Sequence, residues 1–182
     1  MKVGIVIPSR LGSTRLPEKA LTPIRGVPLV IRTLRQAQRV KGADWVRVAT
    51  DSDRIASLVE AHGGLAVLTP SEISSGTDRV AQVDRQLGKE RADIYVNFQG
   101  DEPFLEPESV EAALALVVKG FFSMATLATE LLPEERDQPS AVKVTLGADG
   151  RALNFSRSPL PGALRHLGLY VYRRDVLQRI TS

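Results

Sequence analysis

Short apolar runs and helically spaced apolar positions take turns along the first two thirds of this chain. Val3-Gly4-Ile5-Val6-Ile7 is a continuous run of strand length and predicts a buried first strand. Val27, Val30, Ile31, Leu34 and Ala37 then recur at helical spacing, with Arg32, Arg35 and Gln36 on the opposite side. Residues 45–50 predict a second strand that ends at Asp51. Residues 52–62 predict a helix with Ile55, Leu58, Val59 and His62 on one stripe, closed by Gly63-Gly64. A strand at 65–68, a helix at 78–87, a strand at 93–97 and a helix at 106–118 follow, the last entered after Pro103 and Pro107. Near Ser123 the pattern changes. Strands are predicted at 123–129, 141–146, 152–155 and 167–172, with a hairpin-like turn at Ala148-Asp149-Gly150 and a final helix over 174–180. Strand–helix alternation implies βαβ units and a mostly parallel sheet, extended by an antiparallel or mixed part. No repeat, low-complexity tract or dividing linker interrupts the chain. The expectation is one α/β domain over 1–182, with the mixed-sheet part at about 123–172.

Composition narrows the function. The 182 residues suffice for a sizeable core, and 43% apolar with 25% charged residues is ordinary for a globular chain. Formal charge is 24 − 21 = +3, with no long basic block. Aromatic residues make up 5% and do not interleave with basic ones, so no stacking platform for nucleic acid is expected. Cysteine is absent, which excludes thiolate and disulfide chemistry. The first apolar run is too short for a signal peptide, and nothing approaches a membrane span. A cytoplasmic protein with no membrane partner is expected.

Positive charge is locally dense between Arg10 and Arg25. The loop after the first strand reads Pro8-Ser9-Arg10-Leu11-Gly12-Ser13-Thr14-Arg15-Leu16-Pro17-Glu18-Lys19. Ligands of open α/β sheets bind beyond the carboxyl ends of the strands, so Arg10, Arg15 and Lys19 stand where a polyanion would be held. Backbone N–H groups near Gly12 and Ser13 add to such a cradle. A P-loop and a G-x-G-x-x-G fingerprint are both missing, which leaves this loop as the phosphate site. Asp101, in Gln99-Gly100-Asp101-Glu102-Pro103, ends the fourth predicted strand at the same edge and suits Mg²⁺, a hard cation held by few carboxylates plus phosphate oxygens. The competing reading, that Asp101 and Glu102 cap the next helix, conflicts with the prolines that delay its start. Ser74-Ser75-Gly76-Thr77-Asp78-Arg79 is a helix N-cap whose N-terminus also suits anions. Arg79 is a cation in a first turn, an unfavourable place that points to an anionic partner. Arg157, Arg165, His166 and Tyr170 together suit a hydroxylated carboxylic acid, because Arg binds carboxylates bidentately.

These blocks, in this order, resemble the CMP-Kdo synthetases (3-deoxy-manno-octulosonate cytidylyltransferases). The pieces that carry the resemblance are Ile7–Arg10, residues 13–19, Val48-Ala49-Thr50-Asp51, Ser75-Gly76-Thr77-Asp78-Arg79, residues 99–103, Ala141-Val142-Lys143-Val144, Phe155-Ser156-Arg157 and Arg165-His166-Leu167-Gly168. The resemblance implies a Rossmann-like nucleotidyltransferase fold with a smaller mixed-sheet extension that serves a homodimer. It implies Mg²⁺-dependent transfer of CMP from CTP to Kdo, with release of pyrophosphate, for lipopolysaccharide synthesis. Arg10, Ser13 and Lys19 would hold the CTP phosphates. Ser75, Arg79 and Gln99 would contact the nucleotide, Asp101 the Mg²⁺, and Arg157, Arg165, His166 and Tyr170 the sugar acid. A cytidylyltransferase for another acid sugar, or a non-catalytic nucleotide-binding domain, are the alternatives. Family members usually continue past the point equivalent to Ser182 into a segment whose Asp supplies a second metal ligand. They also carry a longer stretch than residues 158–164 between the two arginines. On that ground the C-terminal segment is expected to be absent and the chain alone to be weakly active or inactive.

Overall fold

The computed structural model describes residues 1–12 and 16–181. They form two compact units, Met1–Ala125 with Leu169–Ser182, and Thr126–Gly168.

The larger unit begins with β1 (Val3–Pro8), a 3-10 turn (Lys19–Leu21), the short strands β2 (Pro23–Ile24) and β3 (Val27–Pro28), and helix α1 (Leu29–Ala37). It continues through β4 (Trp45–Thr50), α2 (Asp53–Ala61), β5 (Leu65–Leu68), α3 (Gly76–Gln86), β6 (Ile94–Phe98) and α4 (Pro107–Val118), and reaches the first residues of β7 (Met124–Thr129). The smaller unit holds the rest of β7, then β8 (Lys143–Leu146), β9 (Ala152–Ser156) and the first half of β10 (Leu164–Arg173). The second half of β10 and α5 (Arg174–Ile180) return to the larger unit.

In the larger unit β5, β4, β1 and β6 are parallel neighbours in that order. Residues 169–173 of β10 close the row against β6, antiparallel. Val3, Ile5, Val6 and Ile7 of β1 are all buried, because helices cover both faces of a parallel sheet and its central strand reads as an unbroken apolar run. Pairing Pro8 with Ala49 and Val6 with Asn97 aligns the carboxyl ends of β1, β4 and β6. In the smaller unit β8 pairs antiparallel with both β10 and β9.

The expected elements recur with two corrections. Val27 does not join α1. A proline pushes the residue before it out of the helical region, so Val27 stays extended, and Pro28 is the N-cap of α1, which starts at Leu29. Val27 instead pairs with Ile24 across a two-residue turn, Arg25-Gly26, with both residues at positive φ. His62 is not part of the buried stripe of α2: it is exposed just past the last turn, and its ring Nδ1 meets the Leu58 carbonyl at 2.8 Å. Ile55 and Val59 supply the buried stripe.

Helix α3 is held in place by a buried carboxylate. Asp84 is 1% exposed. It accepts hydrogen bonds from the Tyr95 hydroxyl at 2.7 Å, from Arg174 Nε at 2.8 Å and from Gln178 Nε2 at 3.0 Å. These donors come from β6 and α5, so one side chain joins three elements. Burial, and the bond to Asp84, hold the Tyr95 phenol well above its ordinary range. Removing one member of a buried, hydrogen-bonded ionic group leaves the others uncompensated. Asp84→Ala is therefore expected to destabilise the fold by about 3–5 kcal/mol, and Tyr95→Phe by about 1 kcal/mol. Urea unfolding of the three proteins checks the ranking; equal midpoints would contradict it.

Candidate active site

A cavity of about 370 Å³ opens at the carboxyl edge of the parallel sheet. Five stretches line it: Pro8, Ser9 and Arg10 after β1; Leu16, Lys19 and Ala20 around the 3-10 turn; Leu29 at the start of α1; Ser74 to Gly76 and Arg79 at the start of α3; and Gln99 to Asp101 after β6. This is the edge where strand ends leave unpaired backbone groups, and where the topology gathers loops from several strands.

The loop after β1 is seated on its neighbour. Ser9 N–H donates to the Ala49 carbonyl at 2.8 Å, and Leu11 N–H donates to Asp51 Oδ1 at 2.9 Å. Arg10 lies between these anchors, exposed, and forms no ion pair with the described residues. Its charge is therefore available to a ligand. Lys19 Nζ donates to Asp101 Oδ2 at 2.6 Å. The two side chains are 37% and 46% exposed, and pairs this exposed contribute only about 0–1 kcal/mol to stability. The pair is thus readily exchanged for a ligand that offers phosphate to the lysine and a cation to the carboxylate.

Ser75 caps α3 by accepting the Asp78 N–H at 3.0 Å, and its hydroxyl donates to the Asp78 carboxylate. Gln99 Nε2 donates to Asn97 Oδ1 at 3.3 Å, and Asn97 Nδ2 to the Thr77 hydroxyl at 3.4 Å. These links aim the Gln99 amide into the cavity from the end of β6.

Arg79 requires a correction. The anion that balances this first-turn cation belongs to the chain itself. Arg79 is 2% exposed and lies 3.8 Å from Asp51 Oδ2. Its guanidinium donates to the Thr69 hydroxyl, to the Ile73 carbonyl at 2.9 Å and to the Pro70 carbonyl at 3.4 Å. Burial lowers its pKa; the Asp51 charge opposes that effect, and the Arg10 charge adds to it. Arg79 is therefore foremost a rigid part of the cavity wall, and Arg10 is near enough to feel its field. Asp51 was not singled out by its chemistry, although it ends a predicted strand at the same sheet edge as Asp101. That shared position was the available signal.

Of the sugar-acid candidates, Arg157, Arg165 and His166 belong to the smaller unit and Tyr170 to the larger. Arg165 is ion-paired with Glu135. Arg157 Nη1 donates to the Pro139 carbonyl at 3.0 Å. His166 Nε2 lies 2.8 Å from the Thr126 hydroxyl, and its ring meets Phe155 edge-on at 5.1 Å. Burial lowers the pKa of His166, favouring a neutral ring. Tyr170 stacks on Tyr172 at 5.9 Å, and burial raises its pKa. Ser13 and Arg15 lie outside the described residues.

Asp101 is the only carboxylate lining the cavity among the described residues, and these contain no cluster of three or more His, Cys, Asp or Glu suited to a metal. Mg²⁺ keeps waters and is commonly held by one or two carboxylates plus substrate phosphates. The donor set therefore fits a Mg²⁺ ion that is completed by a bound nucleotide, and not one caged by the protein alone.

The cytidylyltransferase family model matches residues 4–181. The chain belongs to the cytidylyltransferase family. Among relatives, the 3-deoxy-manno-octulosonate cytidylyltransferase of Anaeromyxobacter dehalogenans is 43% identical over 189 residues, spanning 99% of this chain and 77% of the relative. That of Chloroherpeton thalassium is 42% identical over 195 residues, spanning 100% of this chain and 78% of the relative. A solved CMP:2-keto-3-deoxy-manno-octonic acid synthetase, complexed with CTP, superposes with a TM-score of 0.91 at 42% identity, over 100% of this chain and 78% of that one. A cytidylyltransferase of Leptospira borgpetersenii, 18% identical, has a TM-score of 0.65 over 99% of this chain and 63% of its own, and so shares the fold. The α/β nucleotidyltransferase fold read from the sequence is the fold of this cytidylyltransferase. No helix among the described residues is long and apolar enough to cross a membrane.

The wall of the cavity makes a prediction of its own. Asp51→Ala removes the counter-ion of a buried guanidinium and the acceptor of Leu11 N–H, and is expected to cost about 3 kcal/mol or more. Asp51→Asn keeps a neutral acceptor and should cost less. Chemical denaturation distinguishes the two, and indistinguishable variants would count against the wall role.

Proposed function

We propose that this cytidylyltransferase transfers CMP from CTP to 3-deoxy-manno-octulosonate, giving CMP-Kdo and pyrophosphate. The observation that carries the reading is the cavity, which gathers Arg10, Lys19 and Asp101 at the carboxyl edge of the sheet. The full-length similarity to 3-deoxy-manno-octulosonate cytidylyltransferases supports the sugar and the base.

The reaction forms a bond between the anomeric oxygen of the sugar and the α-phosphorus, and breaks the bond from that phosphorus to the bridging oxygen of the β-phosphate. The sugar hydroxyl gives up its proton to solvent water, and pyrophosphate takes the bonding electrons. Phosphoryl-type transfers of this kind need positioning and charge neutralisation more than covalent help. Arg10 and Lys19 neutralise the charge that grows on the leaving pyrophosphate. Ser75 and Gln99 orient the nucleotide, and the bonds of Arg79 to Thr69, Pro70 and Ile73 fix the segment that leads into the helix of Ser75. Bound Mg²⁺, held by Asp101 and the phosphates, would polarise the α-phosphate. Arg157, Arg165, His166 and Tyr170 serve the acid sugar in this reading.

A homodimer accords with the exposed apolar side chains of β9, Leu153 and Phe155, which a second copy would cover. The cytoplasm, where CTP is supplied, is the compartment this reaction fits.

Pyrophosphate release by the purified chain is the test, with CTP, Kdo and Mg²⁺ each omitted in turn and with sialic acid and the other nucleoside triphosphates as competitors. Release is expected with CTP, Kdo and Mg²⁺ together. Equal release with sialic acid, or with any nucleotide, would overturn the assignment. Asp101→Asn and Lys19→Ala are each expected to lower kcat/KM by about 10²-fold or more, with little change in unfolding midpoint because their ion pair is half exposed. Wild-type turnover in either variant would remove that residue from the site.

A further inference from the structure

The buried stripe of α1 contains one polar residue, Thr33, which is fully buried. A threonine inside a helix commonly returns its hydroxyl to the carbonyl four residues earlier, and here Leu29 O lies 3.2 Å away. The shorter contact is elsewhere. Thr33 Oγ1 donates to the Gly100 carbonyl at 3.0 Å, across 67 positions of sequence.

That carbonyl occupies a decisive place. Glu102 N–H donates to the Gln99 carbonyl at 3.1 Å, so Gln99 to Glu102 form a turn with Gly100 and Asp101 at its centre. The carbonyl held by Thr33 belongs to the middle peptide of that turn. The rotation of this peptide separates one common turn type from another, and it sets the direction in which Asp101 leaves the backbone. Asp101 keeps a negative φ. The turn also lies close to β1: a Cβ on Gly100 would come within 2.6 Å of the Pro8 carbonyl oxygen. The Gly100 Cα is thus packed against β1, and its carbonyl is tied by a hydroxyl.

We infer that Thr33 is a positioning residue for Asp101: its hydroxyl fixes the Gly100–Asp101 peptide and so directs the carboxylate toward the cation that accompanies the nucleotide. The inference deepens the proposed function and rests on its Mg²⁺·CTP reading. Thr33 lies outside the cavity lining, so it acts through Asp101 without touching the ligand. Losing the hydroxyl leaves a part-buried carbonyl without that donor and frees the peptide to turn.

Calorimetric titration with CTP, once with Mg²⁺ and once with EDTA, separates this role from a packing role. Wild type should bind CTP more tightly with Mg²⁺. Thr33→Val, of equal size, should bind Mg²⁺·CTP about tenfold more weakly while its affinity in EDTA stays at the wild-type value. Thr33→Ser, which keeps the hydroxyl, should restore the Mg²⁺ preference. A wild-type Mg²⁺ preference in folded Thr33→Val overturns the inference, as does an equal loss with and without Mg²⁺. If the valine variant does not fold, Thr33→Cys replaces it as a weaker donor of similar size. A reduced Mg²⁺ preference in the cysteine variant then supports the inference, and an undiminished one overturns it. If wild type binds CTP equally well with EDTA, the Mg²⁺·CTP reading itself fails and takes the inference with it.

Discussion

A guanidinium that is 2% exposed must be answered by the chain around it, and the answer given to Arg79 organises the sheet edge. Asp51 supplies the charge from the end of β4. Thr69, Pro70 and Ile73 supply oxygens from the segment between β5 and α3. The same Asp51 accepts the Leu11 N–H and so holds the loop that carries Arg10. One buried ion pair therefore fixes three separate segments, each of which contributes to the cavity or its immediate support. Coulomb attraction alone would not justify it, since desolvating two charges costs several kcal/mol each. The hydrogen bonds that take up the remaining donors make the arrangement tolerable, and they make it geometrically specific.

Lys19 and Asp101 are the opposite kind of pair. Half exposed, they contribute little to stability, and each presents a charge that a Mg²⁺-nucleotide complex would satisfy better. The larger unit thus separates its electrostatics by burial. Charges that hold the fold are enclosed and saturated, whereas charges suited to chemistry are accessible and weakly committed. Arg10 completes the second class.

Much of this was legible in the chain. The strands at Trp45–Thr50 and Leu65–Leu68 and the helix at Arg174–Ile180 follow the apolar pattern residue for residue. The carboxyl-edge placement of Arg10, Lys19, Ser75, Gln99 and Asp101 follows from strand–helix alternation, because each lies in or just after a strand-to-helix connection or at the helix start it leads to. What the pattern hides is pairing across distance. Nothing local couples Arg79 to Asp51 or Thr33 to Gly100. A first-turn arginine accordingly suggests an external anion, and a helical threonine suggests nothing. Val27 was misplaced for a local reason, since its spacing fits a helix that Pro28 prevents from starting there.

The donor set also bears on how the Mg²⁺ of the proposed reaction would be held. A protein that caged Mg²⁺ by itself would need several oxygen ligands converging on one point, and the cavity lining has a single carboxylate among the described residues. Phosphate oxygens of a bound nucleotide would supply the oxygen ligands that one carboxylate leaves missing. In the proposed reaction the metal and the nucleotide would be interdependent ligands, each binding better when the other is present. The direction of Asp101 would then matter more than its mere presence. The turn that carries Asp101 is braced by Gly100 against β1 and by Thr33 from α1, and its charge is paired with Lys19, the half-exposed contact that a Mg²⁺-nucleotide complex would replace in the proposed reaction.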